Sequence, residues 1–514
     1  MHTDLQQHQT PATPLPPPRP AKQSLWFDRA ILFLFLIIAL SIPFSTKLAV
    51  HAFRAAALLW LLRLIIYRPK LRPQPLALPI LVFLVLTAIS STLSYEPAQS
   101  WSRMRTVSLL LLFPLLVQML GCMKQVRVLA GALLFATLLS VVYTAWQYSF
   151  GIGVALEHIK PGSALDRAGL LPGDVITKVG DRRIYSPSSL RERLEHSRPD
   201  EVLNLKMRRG APPEWYDLRI DRAELLEAGL TDPGALGRGR PVRAQGFFNH
   251  YVPFSELLML ACALAFGLAW QARSRTARRL FVVAFLAIGA ALLATATRAP
   301  LASLALACTT VLWLFSRWKV RLISLAVLLI VVVAASVWFQ HARGKGWYQK
   351  NDDGSEYREL MWRDGARLVR QHPWFGVGMD SIYRHWQEWN IQAYQRFPHL
   401  KSHFHSAYMQ TAVEAGVPAL LAWLWILSSL IFLLGRFAWS SAIKPGIERG
   451  VVIAALATTL AVCVNSIVHY TNGDAEFMIA FWFLAGLAIS AGVMAESGRS
   501  GGGITETAAP LVQR

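Results

Sequence analysis

Between residues 30 and 494 the chain alternates long apolar blocks with short polar breaks. Twelve blocks stand out, near 30–45, 48–67, 75–94, 106–121, 128–148, 252–270, 280–297, 299–316, 320–339, 413–435, 450–468 and 476–494. Their lengths suit helices crossing a hydrocarbon core of about 30 Å, which takes roughly 17–25 residues. Arg54 and Arg63 interrupt the second. The pattern predicts a mainly α, polytopic membrane protein of about twelve transmembrane helices. Two polar segments are too long to be simple connections, 149–250 and 341–407.

In the first segment the period changes. Short β-rich runs (VALEHI, DVITKV, VLNLKM) alternate with turns (KPGS, LLPGD, VGDRR) and one helix-like stretch, SPSSLRERLEHS. A small α/β domain is expected here. In the second segment, SEYRELMWRDGARLVRQHPWFGVG reads as a helix that ends at a proline and a glycine-rich turn. Leu360, Met361, Ala366 and Leu368 give it one apolar face, suited to lying along a membrane surface.

Composition agrees: 54% of the residues are hydrophobic and only 16% charged, which excludes an ordinary soluble protein. The net charge of +21 would suggest nucleic acid, but its distribution does not. With the N-terminus cytoplasmic, the short basic loops YRPKLRP, KQVR, QARSRTARR, SRWKVR and GRFAWSSAIKPGIER fall on one side, as lysine and arginine do in cytoplasmic loops. Both long polar segments then face the other side. Residues 1–25 lack a small-x-small cleavage site and read as a disordered cytoplasmic tail before an uncleaved first span; 496–514 reads as a second tail. The expected order is spans at 26–150, a folded insert at 151–221, a linker at 222–251, spans at 252–340, a large loop at 341–407 and spans at 408–495. Four cysteines with no CxxC pair argue against a disulfide framework or a zinc site. No HExxH occurs and no GxSxG supplies a serine nucleophile, which argues against an intramembrane metalloprotease or serine hydrolase.

PGSALDRAGLLPGDVI, Pro161 to Ile176, resembles the signature of bacterial PDZ domains over about 151–221. The resemblance implies a groove where a peptide or protein C-terminus adds as a strand, its carboxylate held by a glycine loop. Gly151, Ile152, Gly153 and Val154 are the candidate loop, directly after the fifth span. A rigid module docked on its own membrane domain is the alternative.

YRELMWRDGARLVRQHPWFGVGMDSI followed by HSAYMQTAVEAGVPALL resembles the signature region of the O-antigen ligase and polymerase family. TATRAPLASL (295–304) and RAQGFFNH (243–250) match two further motifs, so the likeness covers roughly 240–490, with Ser406 where asparagine is commoner. It implies a GT-C-like membrane glycosyltransferase in the bacterial inner membrane, its catalytic loop periplasmic. The donor would be an undecaprenyl-diphosphate-linked glycan and the acceptor lipid A–core or another surface glycan, with inversion at the anomeric carbon and no metal or other cofactor. His405 would be the general base, near the unperturbed ~6.5 that suits that task. Arg298 and Arg243 would hold the diphosphate, with Arg358 a third candidate, because a guanidinium makes paired charge-assisted bonds to phosphate.

Plainer roles stand beside these. Arg298 could snorkel to the interface, Arg243 in GRGRPVRAQG could meet lipid headgroups, and Arg358 could pair with Glu356 or Glu359. His405, with His403 as a rival, could only cap a helix. The motifs leave open a ligase, a polymerase and a protein O-oligosaccharyltransferase. A PDZ scaffold of a polysaccharide export complex is the non-enzymatic reading.

Overall fold

The computed structural model describes residues 22–151, 153–209, 214–229, 234–239, 243–248, 250–343, 353–398 and 403–502. The fold is mainly helical. The first part runs α1 (Lys22–Ser41), α2 (Thr46–Tyr67), α3 (Ala77–Thr92), α4 (Pro97–Val107), α5 (Leu112–Met119) and α6 (Met123–Phe150). After the inserted domain come α10 (Tyr251–Gln271), α11 (Arg275–Ala294), α12 (Arg298–Phe315) and α13 (Trp318–Arg343). The second polar segment supplies α14 (Asp353–Gln371), α15 (Ile382–His385) and α16 (Gln392–Arg396); α17 (Ala407–Trp439), α18 (Ile447–Asn465) and α19 (Ala475–Gly502) complete the bundle.

Among the described residues eight helices are long and apolar enough to cross a membrane: α2, α6, α10, α11, α12, α17, α18 and α19. The expected span at 75–94 is the shorter apolar helix α3. The one at 106–121 is broken, because a 3-10 turn (Ser108–Leu111) separates α4 from α5. Among the described residues the count of twelve is therefore not confirmed.

Helix α10 is central, and its residues from Phe254 to Ala265 are all buried. It meets α18 where Gly267 faces Gly450, and a Cβ on Gly450 would lie 2.9 Å from the Gly267 carbonyl oxygen. Small residues at a crossing let two membrane helices approach closely. That approach also sets Asn465, at the other end of α18, against Glu256.

The insert is a six-stranded antiparallel sheet: β1 (Val154–Leu156), β2 (Val175–Val179), β3 (Arg182–Arg183), β4 (Val202–Arg209), β5 (Glu214–Asp221) and β6 (Leu236–Arg238). Helices α7 (Ala164–Arg167), α8 (Pro187–Glu195) and α9 (Arg222–Glu227) pack with it around a separate core that includes Ile176, Leu190 and Leu205. The main path is β5-β4-β2-β1-β6, so the sheet reaches past residue 221 and recruits a strand from the expected linker.

This order corrects the expected peptide site. Strand β1 pairs antiparallel with β2 on one side, Val154 opposite Ile176, and with β6 on the other, Val154 opposite Arg238. Strand addition needs a free edge, and β1 has none. Gly151 instead ends α6, with φ 82° and its N–H donating to Gln147 O at 2.9 Å. Gly153, at φ 81°, sits where a Cβ would lie 2.8 Å from Val175 Cγ1. Val154 is a core residue, and Ile152 lies outside the described residues. The domain also touches the bundle, through Tyr185 against Trp146 of α6.

Helix α17 is broken near its N-terminal end. Gly416 has φ 86° and ψ 168°, and Pro418 follows inside the helix. Backbone freed at membrane depth needs partners, and the PWFGVG turn supplies them. Val377 and Gly378 N–H donate to Val413 and Glu414 carbonyls at 2.9 Å each, and Val417 N–H donates to Pro373 O at 2.8 Å. Ser90 of α3 adds bonds to Phe375 O (2.7 Å) and Glu414 O (2.9 Å). Gly376 and Gly416 lie so close to facing backbone that a Cβ on either would collide with it. The glycines of PWFGVG and the Gly416-Val417-Pro418 of α17 are two halves of one joint.

Candidate functional site

The joint fixes α14 and the start of α17 against each other. Trp362 Nε1 donates to Phe404 O at 3.0 Å, and Gly365 sits where a Cβ would lie 2.8 Å from Met409 Sδ. His405 occupies the turn just before α17 in a left-handed conformation, φ 50°. Such backbone in a non-glycine residue is uncommon and clusters at functional sites. It does not cap the helix: Ser406 does, its Oγ accepting from Met409 N at 3.3 Å. The His405 ring is left facing Tyr357 of α14 (5.7 Å between centroids) and His403 (4.5 Å). His403 in turn lies 5.3 Å from Tyr470.

Two further histidines join from other elements. Ala407 N–H, 2.9 Å from both Ser466 O and His469 O, ties α17 to the loop that carries His469. His469 Nδ1 lies 3.2 Å from Glu256 Oε1, and the same oxygen accepts from Asn465 Nδ2 at 2.8 Å. His250 starts α10, its Nδ1 accepting from Val252 N at 3.2 Å. Burial first, then neighbouring charge, holds all four imidazoles low: His405 at about 2, under His403, Arg358 and His469, and His403, His469 and His250 at about 4. They are neutral at physiological pH. Neutral imidazoles are what a proton acceptor needs.

The arginines approach from two sides. Arg358 of α14 is close enough to depress His403, His405 and His469. Of the two neighbouring glutamates, Glu359 pairs with Arg363 at 2.5 Å and Glu356 with Arg396 at 3.5 Å. Arg243 lies over the Tyr251 ring, 4.3 Å from its centroid. Its segment is pinned to the α11–α12 corner, because Ala244 N–H donates to Ala294 O at 2.9 Å, four residues before Arg298. Tyr148 OH reaches the same carbonyl at 3.1 Å. The corner turns at Ala296, φ 51°, so Arg298 opens α12. Burial lowers the Arg243 guanidinium from its ordinary value, and the like charge of Arg298 lowers it further. The charges couple across these stretches: Arg298 acts on Arg243, Arg243 and His469 on His250, and Arg358 on His403, His405 and His469.

Several of these residues were missed in the sequence. Glu256, fully buried on α10, carried a readable signal, since a carboxylate inside an apolar block is costly and so often functional. His469, Tyr470 and Asp474 follow a helix end without a motif. Burial pushes the Asp474 carboxyl well up, and Glu256 and Glu476 add to the rise. Arg103 of α4 pairs with Asp380, whose N–H donates to Glu414 Oε1 at 2.8 Å, while Tyr470 OH donates to Glu414 Oε2 at 3.3 Å. This network ties the large loop to α4, α17 and the segment that carries Tyr470. Among the described residues no group of three or more histidine, cysteine or carboxylate side chains is placed to hold a metal ion.

Residues 282–424 match the O-antigen ligase family. The matched stretch contains Arg298, Arg358, His405 and the Gly416 joint, while Arg243, His250, Glu256 and His469 lie outside it. Residues 157–209 match the PDZ domain. A stretch of 67 residues is also 36% identical to a protein provisionally named serine protease HhoB from Synechocystis sp. strain PCC 6803, covering 13% of this chain and 16% of that protein. The chain thus spans about a sixth of that relative. An O-antigen ligase match inside a multi-pass helical bundle supports a membrane function of the O-antigen ligase or polymerase type.

Proposed function

We propose that the protein is an inner-membrane glycosyltransferase that moves a glycan from undecaprenyl diphosphate to an acceptor hydroxyl at the periplasmic face. One observation supports the reading: two half-buried guanidiniums from separate stretches, Arg243 and Arg298, lie close enough for the charge of one to act on the other, and Arg243 neighbours a cluster of neutral histidines through His250. Like charges in such a place are relieved by an anion, and a diphosphate at headgroup level fits the guanidinium fork.

In the proposed step the acceptor hydroxyl attacks the anomeric carbon as its bond to the diphosphate oxygen breaks. The bonding electrons leave with the lipid diphosphate, whose developing charge Arg243 and Arg298 stabilise. His405 takes the hydroxyl proton. Burial and the nearby charges hold its pKa low, and the negative charge of the donor diphosphate would raise it. Direct displacement inverts the anomeric centre. His403 and His469 extend the same neutral surface.

We favour a ligase with lipid A–core as acceptor; a polymerase and a protein O-oligosaccharyltransferase share the donor step. The insert gives no support to a peptide held along β1, since that strand is paired on both sides. The test is transfer by the purified full chain in lipid, from an undecaprenyl-diphosphate glycan to lipid A–core, to a second lipid-linked glycan and to a serine-containing peptide, with and without chelator. Transfer to lipid A–core that survives chelation and is lost in Arg298→Gln and His405→Ala supports the proposal. No transfer to any acceptor, or full activity in both variants, overturns it and favours the scaffold reading.

A further inference from the structure

At the end of the bundle opposite the recess, a cavity of about 390 Å³ opens among the last residues of α10, α12 and α17 and the first turn of α18. Trp270, Phe315 and Trp439 form its apolar wall, with Phe315 and Trp439 4.7 Å apart and Trp270 edge-on to Phe315 at 6.5 Å. Arg317 and Arg449 supply two cations to the lining, beside Gln271 and Ser316. Arg449 spends one nitrogen on Ala438 O, Nη2 to O 2.7 Å, but its Nε is buried and has no hydrogen-bond partner. The carboxylates on the neighbouring stretches are already engaged, Glu448 with Arg127 and Glu496 with Arg436. The loops alongside, 271–279 and 316–321, contain arginine and lysine but no acidic residue.

A half-enclosed aromatic recess with two cations and no counter-charge is incomplete. A buried donor left unmade is costly, and a guanidinium satisfies itself best on a phosphate or carboxylate oxygen. The recess lies where apolar helices end, at the depth where tryptophan rings meet lipid headgroups, and basic recesses between helix ends bind anionic headgroups. Snorkelling alone does not account for it, because a snorkelling arginine carries its whole guanidinium to water, whereas Arg449 Nε stays inside.

We infer that this recess binds the phosphodiester headgroup of an anionic phospholipid, with the phosphate between Arg317 and Arg449 and the glycerol end along Trp270, Phe315 and Trp439. The inference is independent of the transferase proposal and concerns the opposite leaflet.

The experiment is native mass spectrometry of the delipidated full chain titrated with phosphatidylglycerol, with phosphatidylcholine and with inorganic phosphate. Phosphatidylglycerol should be retained at least about tenfold better than phosphatidylcholine, and Arg449→Gln should weaken it about tenfold, the change one charge-assisted contact supports. Arg317→Gln is the second variant, since Arg317 is exposed and its replacement leaves the fold intact. It should show the same direction of loss. Equal retention of the two lipids, or wild-type retention in both variants, overturns the inference. Inorganic phosphate that binds and displaces the lipid also overturns it, since the recess would then hold free phosphate.

Discussion

The break in α17 allows a prediction whose size follows from the geometry. At φ 86° and ψ 168° Gly416 occupies a backbone region essentially reserved for glycine, so alanine there costs on the order of 1–3 kcal/mol in conformation alone. Its methyl group would collide with the Trp374 carbonyl and come within 2.8 Å of Phe375 N. Those atoms belong to a turn held at both ends by hydrogen bonds, so the collision adds on the order of 1–3 kcal/mol. Gly416→Ala should therefore lose about 2–6 kcal/mol. Gly435, on the same helix, has nothing within 4 Å of a built Cβ and an ordinary helical φ. Gly435→Ala should gain roughly 0.5–1 kcal/mol from helix preference. The assay is thermal unfolding of both variants in one detergent, followed by tryptophan fluorescence, with limited proteolysis of 353–398 reporting whether the turn has come free. A Gly416→Ala protein that melts with the wild type, or above Gly435→Ala, would show that the PWFGVG turn is not locked into the break.

Four further outcomes follow. His405→Ala should slow transfer by roughly 10²–10⁴ without weakening donor retention, and His403→Ala by less, as single-turnover rates at saturating donor would show. Acidification should destabilise the protein: His250, His403 and His469 sit at about 4 in the fold against an ordinary 6.5, so the unfolded chain binds more protons below that value. That stability is complete above about 6.5 and is lost as the pH falls toward about 4; a melting temperature that rises on acidification contradicts it. Glu256→Ala should cost about 1–3 kcal/mol, because it leaves the buried Asn465 amide without its acceptor, whereas Glu256→Gln keeps an acceptor oxygen and recovers most of the loss in thermal melts. Gly153→Ala should cost at least about 1–2 kcal/mol from its left-handed backbone and loosen only the insert, seen as faster amide exchange over 154–179 with unchanged protection in α10 and α18.

The local parts of this protein were legible because they depend on neighbours in the chain. Apolar runs of spanning length announce helices, and the change to short β-rich runs between turns announces the insert. PGSALDRAGLLPGDVI and HPWFGVG announce turns that need their glycines and prolines. Arg298 and His405 could be singled out because their motifs place them at helix starts.

Only the tertiary structure decided what pairs with what. Strand β6 comes from a stretch that reads as linker, and its pairing with β1 closes the edge where a peptide was expected, because edge status depends on the sheet and not on the strand. The 106–121 block is apolar enough to span but breaks at a 3-10 turn, packed among buried neighbours that hydropathy cannot see. His469, Asp474 and Glu256 become one cluster only because Gly267 and Gly450 bring α10 and α18 together. Sequence spacing records the reach of a residue along its own backbone; a cluster assembled from five separate stretches has no period to read.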